Sequence, residues 1–304
     1  MGPHGVTSAA PAWFTDAIAT TPRRFDLTVD GYRVACRAWG DAGAPAIVLV
    51  HGAAAHAGWW DHVAPLLADE HHVLALDLAG HGDSDPHPRY RLTAWRDQVA
   101  ALVAAVERPL LVGHSLGGQV ALLVAEDAGA ALLGTLVVDT EVPDRAEEFT
   151  PPDWRPPRQH RAHPDAASLV ARFRTLPRSS APPPYVVAHV AEQSVVRRDD
   201  GWTWKFDPTF FDHDRLGLDD LGPVTGSPVR LVRGADGLVD DRMARRVAER
   251  VGHPGPPVTI AGSGHHVLLD RPRDLAMTVR AAAREWAPLR PRPTPDPHPV
   301  PKGS

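Results

Sequence analysis

The chain has 304 residues, 43% of them hydrophobic, enough for one large α/β domain with an insertion or for two small domains. Lys and Arg total 32 against 37 Asp and Glu, a formal charge of −5 that offers no electrostatic case for nucleic acid. One cysteine, Cys36, excludes an intramolecular disulfide and a CxxC metal site, and no run approaches ~18 consecutive apolar residues, so no membrane span is expected.

Residues 1–24 read as an N-terminal extension. They lack the basic start and apolar stretch of a secretory signal, which makes a cytoplasmic location the expectation. Met1-Gly2 with Thr7 superficially resembles a myristoylation signal, but Pro3 argues against it. Residues 25–29 and 32–36 then alternate apolar and other side chains around Asp30-Gly31. Asp-Gly is a type I′ turn signal, so the pattern predicts an antiparallel hairpin, with Cys36 a small core residue.

Beyond the hairpin the rhythm changes. Short apolar runs at 47–50, 73–76, 110–112, 136–138, 229–232 and 258–260 alternate with helical stretches at 59–69, 93–106, 116–128, 240–251 and 271–286. This predicts an α/β fold: a mostly parallel, doubly wound sheet opened by the antiparallel hairpin. Ligands in such folds bind beyond the carboxyl ends of the strands.

The alternation breaks between 141 and 227, after the sixth strand. This stretch is rich in proline and arginine and carries Trp154, Phe173, Tyr185, Trp202, Trp204, Phe206, Phe210 and Phe211, with helical patches at 166–176 and 185–196. So many aromatic rings argue against a disordered linker and for a helical cap over the strand ends. The core therefore divides into 25–140 and 228–287 around a 141–227 cap insertion. Residues 288–304, with proline at nearly every second position, read as an extended tail.

The chemistry centres on Gly113-His114-Ser115-Leu116-Gly117, where a buried strand turns sharply into an alanine-rich helix. A serine on such a turn projects its hydroxyl out of the sheet, flanked by glycines that cannot clash. Backbone N–H groups at the helix start lie beside it, where an oxyanion would develop. A serine nucleophile needs a base, and His265 in Gly262-Ser263-Gly264-His265-His266 follows the last strand on a glycine-rich loop, with His266 its local competitor. The oxyanion donors expected are the N–H groups of Leu116 and of Ala53, in His51-Gly52-Ala53-Ala54 after the third strand.

These motifs together resemble the α/β-hydrolase superfamily, in its serine-nucleophile, esterase-like branch, from about Phe25 to Trp286. His51-Gly52 with Trp59-Trp60, the D-x-x-G-x-G-x-S run from Asp77 to Ser84, G-H-S-L-G-G at 113–118 and G-x-G-H at 262–265 carry the likeness. Asp77 and His81 are read as shaping their turn, without a catalytic role. The resemblance implies a triad acid after the strand that follows the cap, in a G-x-x-D pattern. Here Gly237 stands at that position and Asp236 precedes it. Some relatives place the acid after the sixth strand instead, where this chain has Asp139. Asp139 is therefore favoured, Asp236 is the alternative and Glu141 a distant third.

The resemblance implies a carboxylic ester hydrolase acting without cofactor or metal on a small molecule, with the cap aromatics suggesting an apolar acyl substrate. Thioesterase, lactonase and carbon–carbon hydrolase chemistry would use the same residues. A serine at 115 disfavours the aspartate-nucleophile dehalogenases and epoxide hydrolases. The alternative outside enzymes is a ligand- or partner-binding protein of the same fold. Oligomeric state stays open.

Overall fold

The structure is a computed structural model and describes residues 9–146, 159–177 and 180–287. In chain order it opens with helix α1 (Ala12–Ala19), strands β1 (Arg23–Val29), β2 (Tyr32–Trp39), β3 (Ala46–Val50) and β4 (His72–Leu76), then α2 (Leu92–Ala104). β5 (Leu110–His114), α3 (Leu116–Ala128) and β6 (Gly134–Val138) follow. The insertion carries α4 (Ala166–Val170), α5 (Pro184–Gln193), β7 (Val195–Arg198) and β8 (Gly201–Trp204). β9 (Val229–Gly234), α6 (Asp241–Arg250), β10 (Val258–Ile260), α7 (Val267–Asp270) and α8 (Pro272–Trp286) complete the chain.

Eight strands form one sheet in the order β1-β2-β4-β3-β5-β6-β9-β10. β1 and β2 pair antiparallel, and Asp30 and Gly31 take φ of 51° and 84°, the left-handed pair that a type I′ turn requires. β2 meets β4 antiparallel, and every later neighbour is parallel. All five residues of β3, β4, β5 and β6 are buried, because helices cover both faces.

Side chains alternate between two cores. Val48 and Val50 join Trp95, Leu102 and Val120 under α2 and α3. Ile47 and Leu49 join Phe14, Leu275 and Trp286 under α1 and α8. Each fully buried aliphatic side chain of this kind contributes about 1.5–3 kcal/mol to holding the sheet rigid beneath its strand ends. Cys36 is buried and free, as its strand pattern predicts, and burial foremost pushes its thiol up to about 12.

Several elements differ from expectation. The helix expected over 59–69 is two 3₁₀ turns, Ala57–Trp60 and Ala64–Leu66, because Pro65 has no N–H to continue an α-helix. The helix expected from 271 begins at Pro272, with the separate short α7 before it. The insertion between β6 and β9 is not wholly helical. α4 ends at Val170, and the 185–196 patch ends at Gln193 and gives way to the β7–β8 hairpin. Within the N-terminal extension, Phe14 of α1 is 2% exposed and packs against Tyr185 of α5 at 4.8 Å. Trp154 and the 288–304 stretch lie outside the described residues.

Candidate active site

Ser115 sits between β5 and α3 with φ 54° and ψ −120°, a backbone conformation that costs an ordinary side chain of order 1–3 kcal/mol. Tight packing holds it there. A Cβ on Gly117 would stand 2.5 Å from the His51 carbonyl oxygen, so α3 can dock onto the end of β3 only with glycine at this position. The Ser115 N–H donates to Val138 O at 3.0 Å, which ties the turn to the end of β6.

The residue that follows β6 is Asp139, fully buried and also left-handed at φ 42°. Its carboxylate accepts three hydrogen bonds: from His265 Nδ1 at 2.7 Å, from Leu238 N at 2.9 Å and from Gly234 N at 3.2 Å. A Cβ on Gly237 would lie 2.1 Å from Asp139 Oδ1. The carboxylate thus occupies the space that a side chain at 237 would need. Asp236 is exposed and its side chain takes no part in this cluster; its backbone N–H donates to Ser263 O at 2.9 Å. Glu141 is half-buried, its carboxyl raised by burial first and by the nearby Asp139 charge.

His265 is 4% exposed on the loop between β10 and α7. Asp270 accepts from Gly264 N at 2.8 Å, and His114 Nε2 donates to His265 O at 2.9 Å. Both contacts hold the loop in place. Burial first, and the neighbouring His265 next, lower His114 to about 3, so its ring is neutral near pH 7. Ser115 Oγ and His265 are not hydrogen-bonded to each other in the structure. Such contacts often tighten only when substrate is bound.

Of the two residues expected to supply an oxyanion site, Leu116 directly follows Ser115 and Ala53 follows Gly52. Leu116 opens α3, so its N–H is one of those a helix leaves without an intrahelical acceptor. Ala53 lies on the loop after β3, which presses on the serine: a Cβ on Gly52 would meet Ser115 Cβ at 3.1 Å. His51 anchors this loop, with Nδ1–H donating to Gly52 O at 2.8 Å and Nε2 accepting from Leu78 N at 3.0 Å.

Asp77 and His81 stay apart from this cluster. Asp77 accepts from Ala57 N at 2.6 Å and Asp83 N at 2.8 Å, organising its own turn. His81 hydrogen-bonds Ala79 O at 3.1 Å. Sequence reasoning passed over His114, whose place inside the G-x-S-x-G run was the available signal. It also passed over Asp270, which has no motif to mark it. The insertion approaches the same end of the sheet: His266 Nε2 donates to Leu176 O at 3.1 Å, and Phe173 stacks edge-on against Trp59 at 6.0 Å.

The family model described as "Alpha/beta hydrolase family" matches residues 47–278. An esterase of Mycobacterium tuberculosis is 30% identical over 271 residues, covering 80% of this chain and 83% of the relative. An uncharacterized protein of Mycobacterium bovis is 43% identical over 101 residues, 32% of this chain and only 29% of that relative's length. Among solved structures, the thioesterase domain from the curacin biosynthetic pathway aligns with TM-score 0.72 at 22% identity, over 86% of this chain and 99% of that one, a likeness of fold.

Proposed function

The chain belongs to the alpha/beta hydrolase family, and from that membership we propose that it is a serine hydrolase cleaving a carboxylic ester or related acyl bond through an acyl-enzyme. The observation that carries this reading is the buried 2.7 Å contact between His265 Nδ1 and Asp139 at the strand ends that also present the left-handed Ser115.

Asp139 accepts a hydrogen bond from the His265 Nδ1–H, which places the ring's lone pair on Nε2. As Ser115 Oγ bonds to the acyl carbon, that lone pair takes the hydroxyl proton, and Asp139 balances the positive imidazolium. The carbonyl oxygen becomes an oxyanion, held by the Ala53 and Leu116 N–H groups. A preorganised donor of this kind lowers the barrier by about 2.7–4 kcal/mol. Collapse breaks the bond to the leaving alcohol, which departs with the proton from His265. Water then attacks the acyl-enzyme with the same histidine as base, and release of the acid restores Ser115.

The segment 141–227 serves as the cap in this reading. Phe173 and Trp204, 6.0 Å apart, and Trp59 beneath Phe173 offer an apolar wall that suits an apolar acyl group on a small molecule. The test is turnover of p-nitrophenyl acyl esters. Ser115→Ala should lose at least about 10⁴-fold in kcat/KM while keeping its circular dichroism spectrum. Full turnover by Ser115→Ala would refute the assignment.

A further inference from the structure

The insertion grips the loop of His265 through the residues that neighbour this histidine, and the proposed reaction uses neither contact. Ser180 Oγ–H donates to Asp270 Oδ1 at 2.7 Å, and Asp270 Oδ2 accepts from Gly264 N–H at 2.8 Å. One carboxylate, 9% exposed, thus links the insertion to the residue before the base. On the other side, His266 Nε2–H donates to Leu176 O at 3.1 Å. Trp59 packs against both His266 and Phe173, at 5.7 and 6.0 Å. Gly264 is held from two directions, its N–H by Asp270 and its carbonyl by packing: a Cβ on Gly234 would lie 2.1 Å from Gly264 O. Asp270 itself ends α7, the helix that starts directly after His266, and its N–H donates to His266 O at 3.0 Å. Burial foremost raises the Asp270 carboxyl, and the hydrogen bonds from Ser180 and Gly264 oppose that rise. Without the Ser180 hydroxyl a largely buried carboxylate would be short of a donor, and the arc it closes would relax.

We infer that Ser180 and Asp270 are positioning residues for His265, and that the insertion sets the alignment of the base through them. Any turn of the Gly264 backbone carries the next residue with it and draws the His265 ring off its 2.7 Å contact with Asp139. Ser180 acts on Asp270, Asp270 on Gly264, and Gly264 on the histidine; no member of this chain other than His265 touches the reacting atoms. The inference rests on the triad reading above, in which a misplaced base slows proton transfer while leaving substrate binding nearly intact. Its signature is therefore a loss in kcat with little change in KM.

The test combines steady-state kinetics on p-nitrophenyl esters with the downfield proton NMR signal of the His265 Nδ1–H, identified by its loss in His265→Gln. Ser180→Ala should lower kcat about tenfold, change KM less than about twofold and shift the NMR signal. Asp270→Ala should lower kcat about 10²-fold, the loss that an ångström-scale misplacement produces. Asp270→Asn should return to within about threefold of the parent, because its amide oxygen accepts from Gly264 N–H while its NH₂ donates to a Ser180 hydroxyl turned to accept. Adding Ser180→Ala to Asp270→Ala should cost less than about twofold more, since the serine acts through the carboxylate. Unchanged kcat or an unshifted signal in Ser180→Ala, Asp270→Asn as slow as Asp270→Ala, or losses that multiply in the double variant would each overturn the inference. If Asp270→Ala does not fold by circular dichroism, Ser180→Ala and Asp270→Asn decide between them. Full turnover by Ser115→Ala would refute the triad reading instead, whereas an inactive Ser115→Ala beside an unaffected Ser180→Ala would refute this link alone.

Discussion

At Asp139 a left-handed backbone, a fully buried carboxylate and a histidine partner meet in one residue. The carboxylate is affordable there because three donors surround it. Gly237 completes the arrangement by contributing no side chain: a Cβ would come within 2.1 Å of Asp139 Oδ1. The loop after β9 and the end of β6 thus compete for one space, and this chain fills it from β6. Asp139→Ala should lower kcat/KM on activated esters by about 10³–10⁴-fold. Adding Gly237→Asp to that variant should recover at least tenfold, since the new carboxylate enters the space just emptied. If the double variant is no better than Asp139→Ala in steady-state kinetics, with both folded, the shared-space account fails.

Elements that carry strong local signals were legible in the sequence. The eight sheet strands follow from their apolar runs and the Asp-Gly turn, and α3 spans the expected 116–128. The less regular pieces were not. α1 is a single short helix without a capping side chain, and it owes its place to Phe14 packing on Tyr185 and His62, contacts far away in sequence. The β7–β8 hairpin hides in Val195-Val196 and Trp202-Thr203-Trp204, whose aromatic rings also fit a packed helix. The same division holds at the site. Ser115, Leu116, Ala53 and His265 stand in motifs that name them. The choice between Asp139 and Asp236 depended on which strand end reaches the histidine loop, and spacing along the chain does not encode that.

Across the whole molecule the two cores enclose several histidines as well as aliphatic side chains. Burial, first among the causes in each case, lowers His51, His62 and His213 to about 4 and His114 to about 3. Above the ordinary histidine range both folded and unfolded forms are neutral, and stability is full. As pH falls from about 6.5 toward 4, the unfolded chain takes up protons that the native rings refuse, so each such ring removes up to ~1.4 kcal/mol per pH unit. The urea midpoint should therefore drop steeply from about pH 7 to about pH 5, with more than about two protons taken up on unfolding. A flat midpoint across that window would show that these rings open to solvent before the fold is lost. None of this alters the claim at the centre, that Ser115 is a nucleophile. The most direct test is mass spectrometry of the folded chain after exposure to a fluorophosphonate. A single adduct mapped to Ser115, absent in Ser115→Ala, is the predicted result. An unlabelled Ser115 in folded protein would contradict it and leave a ligand-binding member of the family.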